Sequence, residues 1–350
     1  MAIPFILAGA AIAAAGFGAK KGYDGYQDKS RANEIIEESK EKYETSKLAF
    51  DEVNEKIEKS LTKLGELQLK VGTSFSDFQT MAESLLQKIN KSSGEKVVLS
   101  IPQHQLDKIE QLSISAVNYM GKVAGAGVVG AASAYAVYGG VMALAAASTG
   151  TPIAALSGVA AYNATLAAIG GGSLATGGLG MAGGTMILGG VVAAPIIAVA
   201  GWAFASHAEE ALSDAFKVRE EVDEAVIKLE SAGNKLKETI YYIEKIYSST
   251  ENIFYTFMGY FNTLKKFEKY IKEGADIDSL EDNIIETVEN GFSIAAILTD
   301  IITTPLFLAK KDSDGNICLE DDAVVIEKDE NGMNVLNLEG IKLSLEKADI

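Results

Sequence analysis

Apolar residues return at every seventh position between residues 28 and 71, as Ile36, Tyr43, Phe50, Ile57, Leu64 and Val71. Val53, Leu61 and Leu67 widen this stripe in its second half, and the intervening positions are charged. A seven-residue apolar repeat with charged intervals predicts one long helix with a coiled-coil seam. The helical pattern continues through residues 77–89 and breaks at Asn90–Gly94. Residues 95–101 read as extended. Pro102 then suits the first turn of a further helix, in which Leu106, Ile109, Leu112 and Val117 share one face.

A second seam follows later. Val222, Val226, Leu229, Gly233, Leu236, Ile240, Ile243 and Tyr247 step alternately by four and three, and the phase reaches Phe254, Phe257, Phe261 and Leu264. The two repeats share length, period and an acidic exterior, so they are expected to pack together as an antiparallel coiled coil. The aromatic cluster of residues 253–270 reads as helix core, with an interfacial belt as the sharper alternative. Residues 279–303 suggest a helix pair, split near Asn290–Gly291 and stopped before Pro305. Apolar and polar residues alternate after that. With Asn331–Gly332 as a turn signal, this predicts a small β appendage of two or three strands.

Between the seams the pattern stops. From Val123 to Ser206, 84 residues carry no Asp, Glu, Lys or Arg. One membrane-spanning helix needs roughly 20 apolar residues, so two to four passes would fit. The candidate spans are 121–147, 153–169 and 181–205, with a break at residues 148–152. Helices in lipid associate by close backbone approach through small residues, which assigns hairpin packing to Gly121, Gly125, Gly180, Gly184, Gly189 and Gly190. Residues 125–130, "GAGVVG", match a dinucleotide fingerprint in letters only. A helical pattern precedes them, and no acidic residue appears until Glu209. A disordered linker would be polar, whereas this zone interleaves Met, Ile, Leu and Val.

The expected fold is therefore mainly α: a long antiparallel coiled-coil or helical bundle, an Ala/Gly-rich apolar helical hairpin and a small C-terminal β appendage. Its parts are an apolar N-terminal helix (1–22), an N-terminal stalk (23–120), the membrane hairpin (121–206), a C-terminal stalk (207–304) and the β appendage (305–350). Residues 3–19 read as a retained inserting or buried helix. A cleaved signal is the alternative, because small residues at Ala13 and Ala15 resemble a cleavage site although no positive region precedes them. The coiled-coil seam is assigned to Ile36, Tyr43, Phe50, Ile57, Leu64, Val226, Leu229, Leu236 and Ile240.

Charge and chemistry narrow the function. Forty-eight acidic residues against thirty-one basic ones give a net charge of −17, which repels nucleic acid and anionic lipid headgroups alike. The lone Cys318 reads as a buried thiol, and it rules out an internal disulfide and a Cys-based zinc site. Two histidines, His104 and His207, offer no metal-ligand spacing, and "DSDGN" at 312–316 lacks the glycine and glutamate of a calcium loop. Acidic residues occupy solvent positions of the repeats. No catalytic, cofactor or metal residue is assigned.

In wording, "GGGSLATGGLGMAGGTMILGGVVAAPIIAVAGW" (170–202) is similar to segments of poorly characterised bacterial glycine-zipper membrane proteins. The layout of repeat helix, charge-free hairpin and repeat helix resembles the α-helical pore-forming toxins and the apolipoprotein L type. The resemblance implies membrane insertion and oligomerisation rather than a substrate. The expected function is a non-enzymatic, membrane-associated helical protein that anchors to or remodels a bilayer. It would self-associate, or bind a coiled-coil partner, through its repeat helices. The alternative is a pore-forming effector, soluble until its hairpin inserts into a target membrane. Lys20, Lys21 and Lys122 border apolar stretches and point to cytoplasmic flanks.

Overall fold

The computed structural model describes residues 21–123, 135–136, 208–316, 318–320, 323–330 and 334–347. These are mainly helical: α1 (Lys21–Ser93), α2 (Gln103–Val123), α3 (Ala208–Lys272), α4 (Glu281–Thr303) and α5 (Leu338–Glu346). Two short strands, β1 (Leu319–Glu320) and β2 (Ala323–Val324), pair antiparallel. The chain divides into two compact units, one of residues 1–55 with 188–237 and the other of residues 56–187 with 238–350. Helices α1 and α3 each contribute to both units.

In the first unit α1 lies along α3. Ala32 and Ile35 pack on Ala215, with Ile36 and Leu212 at the edge. Further along both helices, Lys42 Nζ meets Asp223 Oδ1 at 2.7 Å. The partners advance toward the C-terminus of both helices together. The pair is parallel here, and the expectation of an antiparallel pair is corrected.

The second unit repeats that direction and builds a larger core. Lys70 lies over the Phe254 ring, Phe75 meets Phe257 at 5.1 Å between centroids, and Phe78 meets Phe261 at 5.8 Å. Chain reversals supply two helices of the opposite sense. Helix α1 ends at Ser93, just before Gly94, and α3 ends at Lys272, two residues before Gly274, whose φ of 97° suits a residue without Cβ. Asn90 Oδ1 accepts the Val97 N–H at 2.7 Å and folds the 95–101 segment back, so that Val97, Leu99 and Ile101 cover the core. Helix α2 then runs alongside α4: Ser100 N–H donates to Glu289 Oε1, and Lys108 pairs with Asp300 further along both. Helices α1, α2, α3 and α4 thus enclose one apolar core.

Phe78 sits at its centre, with the Phe257, Phe261 and Phe292 rings 5.2, 5.8 and 5.2 Å away. Such aromatic pairs add about 0.5–1.5 kcal/mol each beyond area burial. The ring presses on α4 at Gly291, where a Cβ would collide with it. That contact explains a departure from the sequence expectation. Residues 281–303 form one helix rather than two split near Asn290–Gly291, and Gly291 makes room for a ring instead of a turn. Gly72 plays the same part between α1 and α2, where a Cβ would meet that of Ala116.

The face of α2 also differs from expectation. Ile109, Leu112 and Ala116 are buried, while Val117 is 45% exposed. At the C-terminal end, Phe307 bridges to Leu336, Ala309 to Ile326 and Lys328 to Asn334, all antiparallel. The proposed turn at residues 331–333 lies outside the described residues. The β appendage is expected over 305–350, yet residues 338–346 are helix α5. Asn337 starts it by accepting the Gly340 N–H at 3.1 Å, and its Nδ2 donates to the Pro305 carbonyl. Ile341 and Ser344 then face inward at helical spacing.

Two outcomes test this packing. Gly291→Ala should destabilise the protein by about 1–3 kcal/mol in denaturant unfolding, and Phe78→Ala by about 3–5 kcal/mol. With Cys318 replaced by Ser, an Ala32→Cys/Ala215→Cys pair should form an intramolecular disulfide under mild oxidation, since these short side chains pack together; an antiparallel pair would leave both thiols free.

Candidate functional site

The sequence nominated two sets of residues, the seam and the glycines. Of the seam, Tyr43, Ile57, Leu64, Val226, Leu229 and Leu236 are buried. Ile36, Phe50 and Ile240 are half-buried. Ile35 is buried beside Ile36, and Thr239 beside Ile240. The second shift has a periodic cause. Along α3 the inward positions are Leu236, Thr239, Ile243, Ile246, Thr250 and Phe254, so two four-residue steps meet at Thr250. The expected series runs four-three from Leu236, whereas the observed one runs three-four until the paired four-residue steps restore the phase at Phe254. A search for apolar letters passes over both threonines.

Of the hairpin glycines, Gly121 lies in the last turn of α2, while Gly125, Gly180, Gly184, Gly189 and Gly190 lie outside the described residues. So do the candidate spans 153–169 and 181–205, and all of 121–147 except 121–123, 135 and 136. The N-terminal apolar helix and His207 lie outside as well. Among the described residues, no helix is long and apolar enough to cross a membrane. The transmembrane and pore-forming assignments are corrected accordingly. The physical reason is plain on α2 and α4, whose apolar faces alternate with charges such as Asp107, Lys108, Glu110, Glu286, Glu289 and Asp300.

The margin of the charge-free zone is described on α2. Ile114, Val117 and Met120 are each 45% exposed, at three-residue spacing on neighbouring parts of one face. These three side chains place exposed apolar surface on α2 near its C-terminal end. The aromatic cluster of α3 divides by residue type. Phe254, Phe257 and Phe261 fill the core, whereas Tyr255 is 83% exposed.

Polar chemistry is sparse. Among the described residues no three His, Cys, Asp or Glu side chains gather in a manner that suits a metal ion. Cys318 is half-buried rather than buried, within a backbone ladder where its N–H donates to the Lys310 carbonyl. The "DSDGN" stretch is a turn. Asp312 Oδ1 accepts the N–H groups of Asp314 and Asn316, and the Asn316 bond chiefly holds the carboxyl below its ordinary range. Two tyrosines are shifted upward. Burial raises the Tyr43 phenol, with Lys47 opposing and Asp51 adding. The Tyr247 hydroxyl donates to Glu251 Oε1 at 2.9 Å, which raises it further than its burial does.

Both phenols ordinarily ionise near pH 10. The folded chain holds these protons more tightly than the unfolded chain. The associated stability is complete below the unfolded value and is lost as pH rises through the raised folded values. Thermal unfolding midpoints should therefore fall as pH rises above about 10. Tyr43→Phe, which has no proton to lose, should flatten that limb.

No known protein family, curated protein or solved structure matches the chain.

Proposed function

We propose that this chain is a non-enzymatic helical protein that associates with a lipid bilayer through its Gly/Ala-rich, charge-free segment, while its charged helices stay in water. The observation that carries the reading is the segregation of charge: 84 consecutive residues without Asp, Glu, Lys or Arg, set between strongly charged flanks. Apolar surface removed from water is worth roughly 25 cal/mol per Å², so a segment of this composition gains by lipid contact. The apolar outer face of α2 at Ile114, Val117 and Met120 supports it by extending the lipid-compatible surface to the segment's margin.

The acidic side chains of α1 and α3 fit the water-facing role. Ion pairs such as Lys47–Asp51 and Lys272–Glu268 join neighbours on one helix, Lys42–Asp223 joins α1 to α3, and all leave the lysines largely exposed. Such pairs are worth about 0–1 kcal/mol each and organise no reactive site. The seam is filled within the chain by α1 against α3. This supports a coiled-coil-like role in holding the two helices together, so a second copy would use other surfaces.

Flotation of the full-length protein with neutral phosphatidylcholine vesicles tests the reading. The protein should rise with the vesicles. Leu188→Glu/Val192→Glu should stay in the aqueous fraction while keeping its helical circular dichroism. Anionic vesicles should capture less protein at low salt and more as salt screens the repulsion from the −17 charge. Full-length protein that never floats would sink the proposal, as would a doubly charged variant that floats equally well.

A further inference from the structure

One layer of the second unit's core is polar on both α1 and α3. From Ile57 to Ile89 the inward positions of α1 alternate by four and three, and every one is apolar except Gln68. Gln68 is 2% exposed, and its Oε1 has no hydrogen-bond partner. On α3 the corresponding break is Thr250, 0% exposed, whose Oγ1 also has none.

The two residues lie at one level. On one side of them Glu66 is close enough to Tyr247 to act on its phenol, and on the other Lys70 lies 5.6 Å from the Phe254 ring centroid. In a parallel pair these contacts bracket Gln68 opposite Thr250. Their chemistry is complementary, since a threonine hydroxyl donates and a glutamine Oε1 accepts.

We propose that Gln68 and Thr250 form the polar layer that fixes the register of α1 on α3, a side-chain rotation bringing the Thr250 hydroxyl within donating distance of Gln68 Oε1. Apolar packing alone sets register weakly, because one heptad resembles the next. A slip of one heptad places Gln68 opposite Ile243 or Phe257, and Thr250 opposite Leu61 or Phe75. Either slip buries both polar groups against apolar side chains, where unpaired groups are costly. The native register alone lets each satisfy the other. A single polar layer that specifies alignment at some expense of stability is an established device in helix seams.

The test is a double-mutant cycle with a register measurement. Gln68→Leu and Thr250→Val each strand one buried polar group, so each should lower the thermal midpoint by several degrees. The double variant, with an apolar layer, should regain most of that loss. Spin labels at the exposed positions Lys63 and Glu244, in a Cys318→Ser background, report register. Wild type and Thr250→Ser should give one distance. The double variant should add a population displaced by about 10 Å along the axis, one heptad of rise. Additive midpoint losses, or single variants that gain stability, would show that the two groups do not meet. A single unshifted distance in the double variant would remove the register role.

Discussion

Parallel packing of α1 on α3 is the constraint to which the other described helices answer. Two helices lying side by side bury only one stripe each, and the remaining apolar surface must be covered from elsewhere. In the second unit α2 and α4 run the opposite way and close the core around Phe78. The closeness of that closure depends on two absent side chains, at Gly72 and Gly291. Interiors pack as densely as organic crystals, so a methyl group at either place has nowhere to go.

Charge does the complementary work. The outer faces of the described helices carry most of their acidic and basic side chains, and the ion pairs among them are exposed and individually weak. The charge-free zone has no such faces to present, and its composition suits contact with lipid or with other small residues. The proposed function rests on this division of charge along the sequence.

Much of the seam was legible in the letters. Tyr43, Ile57, Leu64, Val226, Leu229 and Leu236 were found by spacing alone because burying a stripe requires that spacing. Misses occurred where a buried residue is not apolar or a visible signal has two uses. Thr239 and Gln68 are buried polar residues that a hydrophobic count ignores. Gly291 reads as a break but serves as a socket for a ring, and the alternation of "IKLSL" fits a strand until Asn337 caps a helix there.

The sequence by itself determined that long stretches are helical, which stripes are apolar, where α1 ends, and that charge is excluded from 84 consecutive residues. These follow from composition and from the helical period, which act locally. Only the tertiary structure decided that α1 and α3 run in the same direction, and that Val117 faces out while Ala116 faces in. A seven-residue repeat is blind to direction, because the same stripe matches a partner running either way. Direction is settled by which distant side chains meet, and that information belongs to the pair of helices rather than to either one.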